Sequence, residues 1–298
     1  MKVDIISGFL GAGKTTFINT YLPLLEGRLA LIENEFGDTS IDSALIEDDI
    51  PMKEIFAGCI CCTLRGDFAS GIKAINDAYH PDRIVVEPSG IGRLSDVVKG
   101  IEDAGKMSGV DLEINRLIVL VDSDTFEDFS EEFGPFYMDQ IQNANVLILT
   151  HMEEMTDVDM ERISKKIKEI NPGASLLAAD YRDMDKKSLM EVIESSAKGL
   201  VTEGESTRAI PGDKVFSSFS LESNEFNEED LIKAFEKLET RDYGYVLRSK
   251  GYIENGTKLF QYTPGKVEIS PADKKDLGSL VVIGTDLDEG EIRKLLNH

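Results

Sequence analysis

Positive charge is scarce in this chain: 32 lysines and arginines stand against 56 aspartates and glutamates, a net charge of −24. Such a surplus repels phosphate backbones and anionic lipid, so nucleic acid and membrane surfaces are poor partners, and solubility is the plain use of the acid. No apolar run approaches the roughly 20 residues needed to span a bilayer. The first residues are apolar over too short a stretch for a signal peptide, so a cytoplasmic protein is expected. Histidine occurs three times, at His80, His151 and His298. Cysteine also occurs three times, at Cys59, Cys61 and Cys62. Cysteines packed that closely cannot form a disulfide framework, and they point to thiol or metal chemistry in a reducing compartment.

With 298 residues, the chain has room for about two domains. Short β-branched runs alternate with helix-like stretches through the first two hundred residues, which predicts an α/β fold: a mostly parallel sheet with helices on both faces. Strands are expected over 3–7, 29–33, 54–57, 83–87, 116–122, 146–150 and 175–179. One helix announces itself: Thr156 and Asp159 form a capping pair, Val158, Ile163, Ile167 and Ile170 are expected on one apolar face, and Asn171-Pro172-Gly173 stops it. From 200 to 213 the chain turns polar and aperiodic, with Gly and Pro. The boundary is placed near Arg208, giving domains of 1–207 and 208–298. The remainder is read as a smaller α+β domain, with strands over 214–221, 243–253, 258–262 and 279–284, a helix after Asn227 and another after Asp288.

The run Gly8-Phe9-Leu10-Gly11-Ala12-Gly13-Lys14-Thr15 matches GxxxxGK[ST], between a predicted buried strand and a helix. Glycines let backbone N–H groups turn inward around a phosphate, and the helix N-terminus adds its field. Lys14 can reach the β- and γ-phosphates, and Thr15, followed by Thr16, offers a hydroxyl to Mg²⁺. A magnesium site also needs a carboxylate ending a neighbouring strand, which Glu87 supplies; Gly90 follows at a distance suited to a γ-phosphate contact. Glu33, Glu35 and Asp42 lie at the same carboxyl edge, where open α/β sheets bind ligands. Asp42 or Glu35 could join the Mg²⁺ shell, or be solvated loop acids. Gly58-Cys59-Ile60-Cys61-Cys62 offers three thiolates, a set suited to Zn²⁺, Co²⁺ or Cu(I). Three is one short of a closed zinc site, and Glu33 or Glu35 could fill the fourth position. Buried inert thiols and redox-sensing thiols are the alternatives.

Together GFLGAGKTT, ENEFG, GCICCTLRGDF and the strand-terminal Glu-Pro-Ser-Gly resemble the CobW-like P-loop GTPases, a metallochaperone-related family. The likeness extends to Tyr245–Tyr252, to the run from Leu259 and to Val281–Asp286. It implies a phosphate loop over Gly8–Thr16, a Walker B carboxylate at Glu87, metal ligands Cys59, Cys61 and Cys62, and Glu33 approaching them. It also implies GTP hydrolysis coupled to handing zinc or cobalt to a client metalloprotein. The family's base-recognition stretch is Asn/Thr-Lys-x-Asp; here it reads Thr150-His151-Met152-Glu153. Glu153 keeps the carboxylate and adds a methylene, and His151 could stack on a base without a fixed charge. GTP is the expected nucleotide, because a buried acceptor pair for guanine N–H groups discriminates best against adenine. No glutamine adjoins Gly90, so slow turnover is expected. Two rivals are a P-loop small-molecule kinase and a zinc-storage module that uses nucleotide for stability.

Overall fold

The computed structural model describes residues 1–35, 52–56, 65–153, 155–196, 215–223, 226–272 and 278–296. They form two compact units, one holding the elements up to residue 196 and the other those from residue 215. The expected boundary near Arg208 lies outside the described residues.

In the first unit, seven parallel strands form one sheet in the order β3-β2-β4-β1-β5-β6-β7. They are β1 Lys2–Gly8, β2 Leu29–Glu35, β3 Met52–Phe56, β4 Arg83–Glu87, β5 Glu113–Asp122, β6 Val146–Thr150 and β7 Ser175–Leu177. The helices between them are α1 Lys14–Tyr21, α2 Arg65–Tyr79, α3 Leu94–Ser108, α4 Phe126–Glu132, α5 Gly134–Asn143, α6 Asp157–Ile170 and α7 Lys186–Ser195. Parallel strands need such crossovers, which bury both sheet faces and make the strands apolar throughout. On one face Ile6, Leu31, Val85, Ile118 and Ile148 meet Phe17 and Ile18 of α1 and Leu189 and Ile193 of α7. The alternating residues Ile5, Ile32, Val86, Val119 and Leu147 are buried as well.

At the amino edge of this sheet, the fully buried Asp4 is held by three donors. Tyr21 Oη donates at 3.0 Å, Arg83 Nη1 at 2.5 Å and Asn115 Nδ2 at 2.6 Å. A buried charge persists only when so satisfied. Burial, followed by the charge of Asp4, pushes the Tyr21 phenol well above its usual range. The cluster ties β1, β4, β5 and α1 together at the edge opposite the loops.

The helix predicted after Thr156 has both halves of its capping box: Asp159 N–H donates to Thr156 Oγ1 at 3.3 Å, and Thr156 N–H to Asp159 Oδ2 at 3.4 Å. Its apolar face is narrower than expected. Ile163 and Ile167 are buried, whereas Val158 is 74% exposed. Five residues at about 100° each place Val158 roughly 140° from Ile163, around the helix from the core.

The second unit is an antiparallel sheet in the order β11-β10-β9-β12-β8. Its strands are β8 Phe216–Glu222, β9 Tyr245–Ile253, β10 Lys258–Thr263, β11 Lys266–Pro271 and β12 Ser279–Thr285. Helices α8 Glu228–Leu238 and α9 Glu289–Leu296 bring Leu231, Phe235 and Ile292 against Leu221, Phe260 and Val282. Asn227 caps α8 through Asp230 N–H at 3.0 Å. Strand β11 is an addition to the sequence reading: it is an edge strand with no fully buried residue, so its alternation carries little apolar signal. Among the described residues, no helix is long and apolar enough to cross a membrane.

Candidate nucleotide and metal site

The ends of β1, β2, β4, β5 and β6 form one rim at the carboxyl edge of the parallel sheet. The phosphate-loop sequence bridges β1 and α1, and its backbone needs glycine: φ is 151° at Gly8, 83° at Gly11 and 85° at Gly13, which caps α1 in the left-handed region. A Cβ on Gly8 would also lie 2.7 Å from the Leu120 carbonyl oxygen of β5. Lys14 is 6% exposed, and its ammonium donates to the carbonyls of Gly8 at 3.0 Å and Phe9 at 3.3 Å. The cation thus spans the loop that it opens. Thr15 is half-buried and Thr16 exposed.

Glu87 ends β4 beside the loop, and Thr15 Oγ1 donates to its Oε1 at 3.5 Å. The next turn returns to the phosphate loop, since a Cβ on Gly90 would lie 3.0 Å from Leu10 N and 3.1 Å from Lys14 Nζ. A side chain at this position would require Leu10 or Lys14 to give way by a few tenths of an ångström. Glu33 is 3% exposed and pairs in register with Glu87 across β2 and β4, and with Glu54 across β2 and β3. Alternation along the strands puts Glu33 with Leu31, and Glu87 with Val85, on the α1 face.

Thr150 ends β6, and its buried hydroxyl donates to Ala12 O at 3.1 Å, fastening the next loop to the phosphate loop. His151 follows with φ 51°, its Nδ1 lying 2.9 Å from Asp122 Oδ2. Glu153 meets Arg182, whose Nη2 donates to Glu153 Oε1 at 2.6 Å. That bond holds the Glu153 carboxyl below its usual range, with a smaller contribution of the same sign from His151.

Asp42, Cys59, Cys61 and Cys62 lie outside the described residues, as does His298. His80 is exposed. Among the described residues no group of three or more His, Cys, Asp and Glu side chains is arranged to hold a metal.

Three residues near this rim escape the sequence reading. Asp122 carried a usable signal, an acid ending an apolar strand; its Oδ1 accepts from Asp124 N–H at 3.0 Å, and Oδ2 faces His151. Arg182 carried none. Gln140 of α5 carried none either, yet its Nε2 donates to Gly90 O at 3.0 Å and to Gly92 O at 2.8 Å. The next residue back, Asp139, accepts from Ser95 N–H at 3.0 Å and Ser95 Oγ at 2.7 Å, so α5 grips the whole segment from Gly90 to the start of α3.

The family model for the CobW/HypB/UreG nucleotide-binding domain matches residues 2–178, and that for the cobalamin synthesis protein cobW C-terminal domain matches residues 216–298. The zinc chaperone YjiA of Escherichia coli is 27% identical over 316 residues, covering 98% of this chain and 96% of its own length. The zinc-regulated GTPase metalloprotein activator 1 of Dictyostelium discoideum is 25% identical over 297 residues, covering 85% of this chain. The chain spans 62% of that relative's length. The solved structure of Zn(II)-bound YjiA GTPase from E. coli covers 100% of this chain and 98% of its own, at 23% identity and a TM-score of 0.49.

Proposed function

The chain belongs to the CobW/HypB/UreG nucleotide-binding family, and from that premise we propose that it is a Mg²⁺-dependent GTPase whose nucleotide state governs delivery of zinc or cobalt to a client metalloprotein. The observation that carries this reading is the convergence of Lys14, Thr15, Glu87 and Gly90: Thr15 meets Glu87 at 3.5 Å, and Gly90 closes on Lys14. A hydroxyl and a carboxylate are hard oxygen donors of the kind magnesium takes, so Thr15 and Glu87 fit that ion, with Asp42 as a further ligand. Bound there with nucleotide, Mg²⁺ neutralises phosphate charge.

Lys14 leaves the Gly8 and Phe9 carbonyls to meet the β- and γ-phosphates, while Gly8, Gly11, Ala12 and Gly13 present backbone N–H groups. Gly90 brings its amide to the γ-phosphate, so the triphosphate draws β4's turn onto the phosphate loop. Thr150, His151 and Glu153 form the base side. Gln140 commits its amide nitrogen to two carbonyls, which is consistent with slow intrinsic turnover. The cargo ion is taken by Cys59, Cys61, Cys62 and Glu33. Glu33 stands in register with Glu87, a route by which hydrolysis reaches the metal. The nucleotide domain is assigned to 1–207 and the C-terminal domain, where a client docks, to 208–298. The named functions of the two relatives, zinc chaperone and zinc-regulated GTPase metalloprotein activator, support the reading.

The test is a competitive Zn²⁺ and Co²⁺ titration with Mg²⁺ and a GTP analogue, with Mg²⁺ and GDP, and without nucleotide. A metal affinity that shifts between the nucleotide states, and is lost in Cys61→Ser while nucleotide still binds, is expected. Equal metal affinity in every state would instead favour a storage role, and phosphate transfer to an added metabolite would favour a kinase.

A further inference from the structure

A residue outside the loop that follows β6 reaches into it: Arg182, from the turn after β7, meets Glu153. Asp180 accepts from the N–H of Arg182 at 2.9 Å and so caps the short turn Tyr181–Asp183. Tyr181 is 5% exposed and meets Phe17 of α1 edge-on, with ring centroids 5.1 Å apart. Since α1 starts at Lys14, this contact fixes the turn to the phosphate-loop helix. Arg182 Nε then donates to both oxygens of Asp180, at 2.9 and 3.0 Å, and its Nη2 to Asp180 Oδ2 at 2.5 Å. The guanidinium is left with one defined direction, and Nη2 reaches Glu153 Oε1 along it at 2.6 Å.

Glu153 is anchored from its other side too. It follows Thr150, which is bonded to Ala12 of the phosphate loop, and β6 and β7 are neighbours, with Ile148 opposite Leu177. Two arms from adjacent strand ends, each tied to the phosphate loop or its helix, therefore meet at one ion pair. The pair is not there for stability: Arg182 is 52% and Glu153 58% exposed, and ion pairs so exposed contribute little to folding.

We infer that Arg182 is a positioning residue for guanine discrimination, holding the longer Glu153 carboxylate at a fixed height and angle to accept from guanine N1 and N2. This rests on the nucleotide reading above. A glutamate has one more rotatable bond than an aspartate, and an unrestrained carboxylate loses that freedom on meeting a base. Pairing one oxygen with Arg182 removes the freedom beforehand. Each carboxylate oxygen accepts more than one hydrogen bond, so Oε1 and Oε2 together still offer the acceptors that two parallel N–H donors require. Adenine presents no such donor pair, and hypoxanthine lacks the amine on C2.

The experiment is equilibrium binding of GDP, IDP and ADP, each with Mg²⁺, to the full chain and to Arg182→Ala, Arg182→Lys and Glu153→Gln, with thermal unfolding as the fold control. The unsubstituted protein is expected to favour GDP over IDP and ADP. Arg182→Ala should lose about tenfold in GDP affinity, with ADP affinity within about twofold and an unchanged melting temperature. Arg182→Lys should recover part of the loss, and Glu153→Gln should abolish the GDP preference. If Arg182→Ala keeps the original GDP-to-ADP ratio, the positioning role is overturned while the nucleotide reading stands. If the unsubstituted protein binds ADP as tightly as GDP, the guanine reading itself falls and takes this inference with it.

Discussion

Replacing Gln140 by leucine removes one side-chain amide of similar size from a site where it is 1% exposed. Two buried hydrogen bonds disappear, to Gly90 O at 3.0 Å and Gly92 O at 2.8 Å. Each bond is worth about 1 kcal/mol net, and a buried carbonyl left short of a donor costs about 1–3 kcal/mol. Leucine offsets part of this by burying apolar surface and by removing Gln140 Oε1, which has no hydrogen-bond partner among the described residues. A net loss of about 2–3 kcal/mol follows, within the roughly 5–15 kcal/mol that holds a domain folded. Asp139 still grips Ser95 and Gly92 N–H still bonds Ser89 O at 3.0 Å, so the damage is confined to the turn carrying Gly90. Because that turn faces Lys14 Nζ, affinity for a GTP analogue should fall more than affinity for GDP. Urea unfolding and paired nucleotide titrations of Gln140→Leu measure both. A stability loss below about 0.5 kcal/mol, together with an unchanged GTP-to-GDP ratio, would refute the claim that Gln140 fixes this turn.

Gly90→Ala should cost about 1–3 kcal/mol through overpacking against Leu10 N and Lys14 Nζ, and should weaken triphosphate binding more than diphosphate binding; the same two assays read it. The pH dependence follows from Glu153. Its pKa is depressed by the Arg182 bond, so the carboxylate stays ionised as pH falls through the ordinary glutamate range and protonates only below it. In Arg182→Ala the largest part of that depression is lost, and the acid limb of the GDP-binding profile should move up toward the ordinary glutamate value. Coincident acid limbs in the two proteins would count against the pairing.

What the sequence discloses here depends on whether a feature is local. The phosphate loop is a contiguous run whose glycines, lysine and threonine must lie side by side, and the parallel strands advertise themselves by apolar runs because both faces are covered. Glu87 was readable because an acid ending an apolar strand has to meet something. Asp122 follows the same rule and could have been read the same way. Gln140 and Arg182 were not legible. Each acts on a residue far along the chain, 50 positions away for Gln140 and Gly90, 29 for Arg182 and Glu153, and neither glutamine nor arginine is unusual on a helix or a turn. Val158 shows that apolar character alone does not place a residue, because its angle around the helix carries it away from the core, and β11 leaves no sequence pattern because an exposed edge strand buries too little.

The register of Glu33 against Glu87 carries a last consequence. Two acidic residues stand opposite each other on neighbouring strands of one sheet face, and Glu33 of this pair is 3% exposed. A zinc ion held by Glu33 would bond its carboxylate oxygens directly, so changing those oxygens while keeping the shape tests the assignment. Glu33→Gln keeps the shape and one acceptor oxygen while replacing the other by an amide nitrogen. It should reduce the extra stabilisation that Zn²⁺ gives by more than it changes the melting point of the metal-free protein. Thermal unfolding with a chelator and with added Zn²⁺ separates the two effects. A Glu33→Gln protein that melts lower without metal, and gains as much from Zn²⁺ as the unsubstituted chain, would show that Glu33 serves the fold and not the ion.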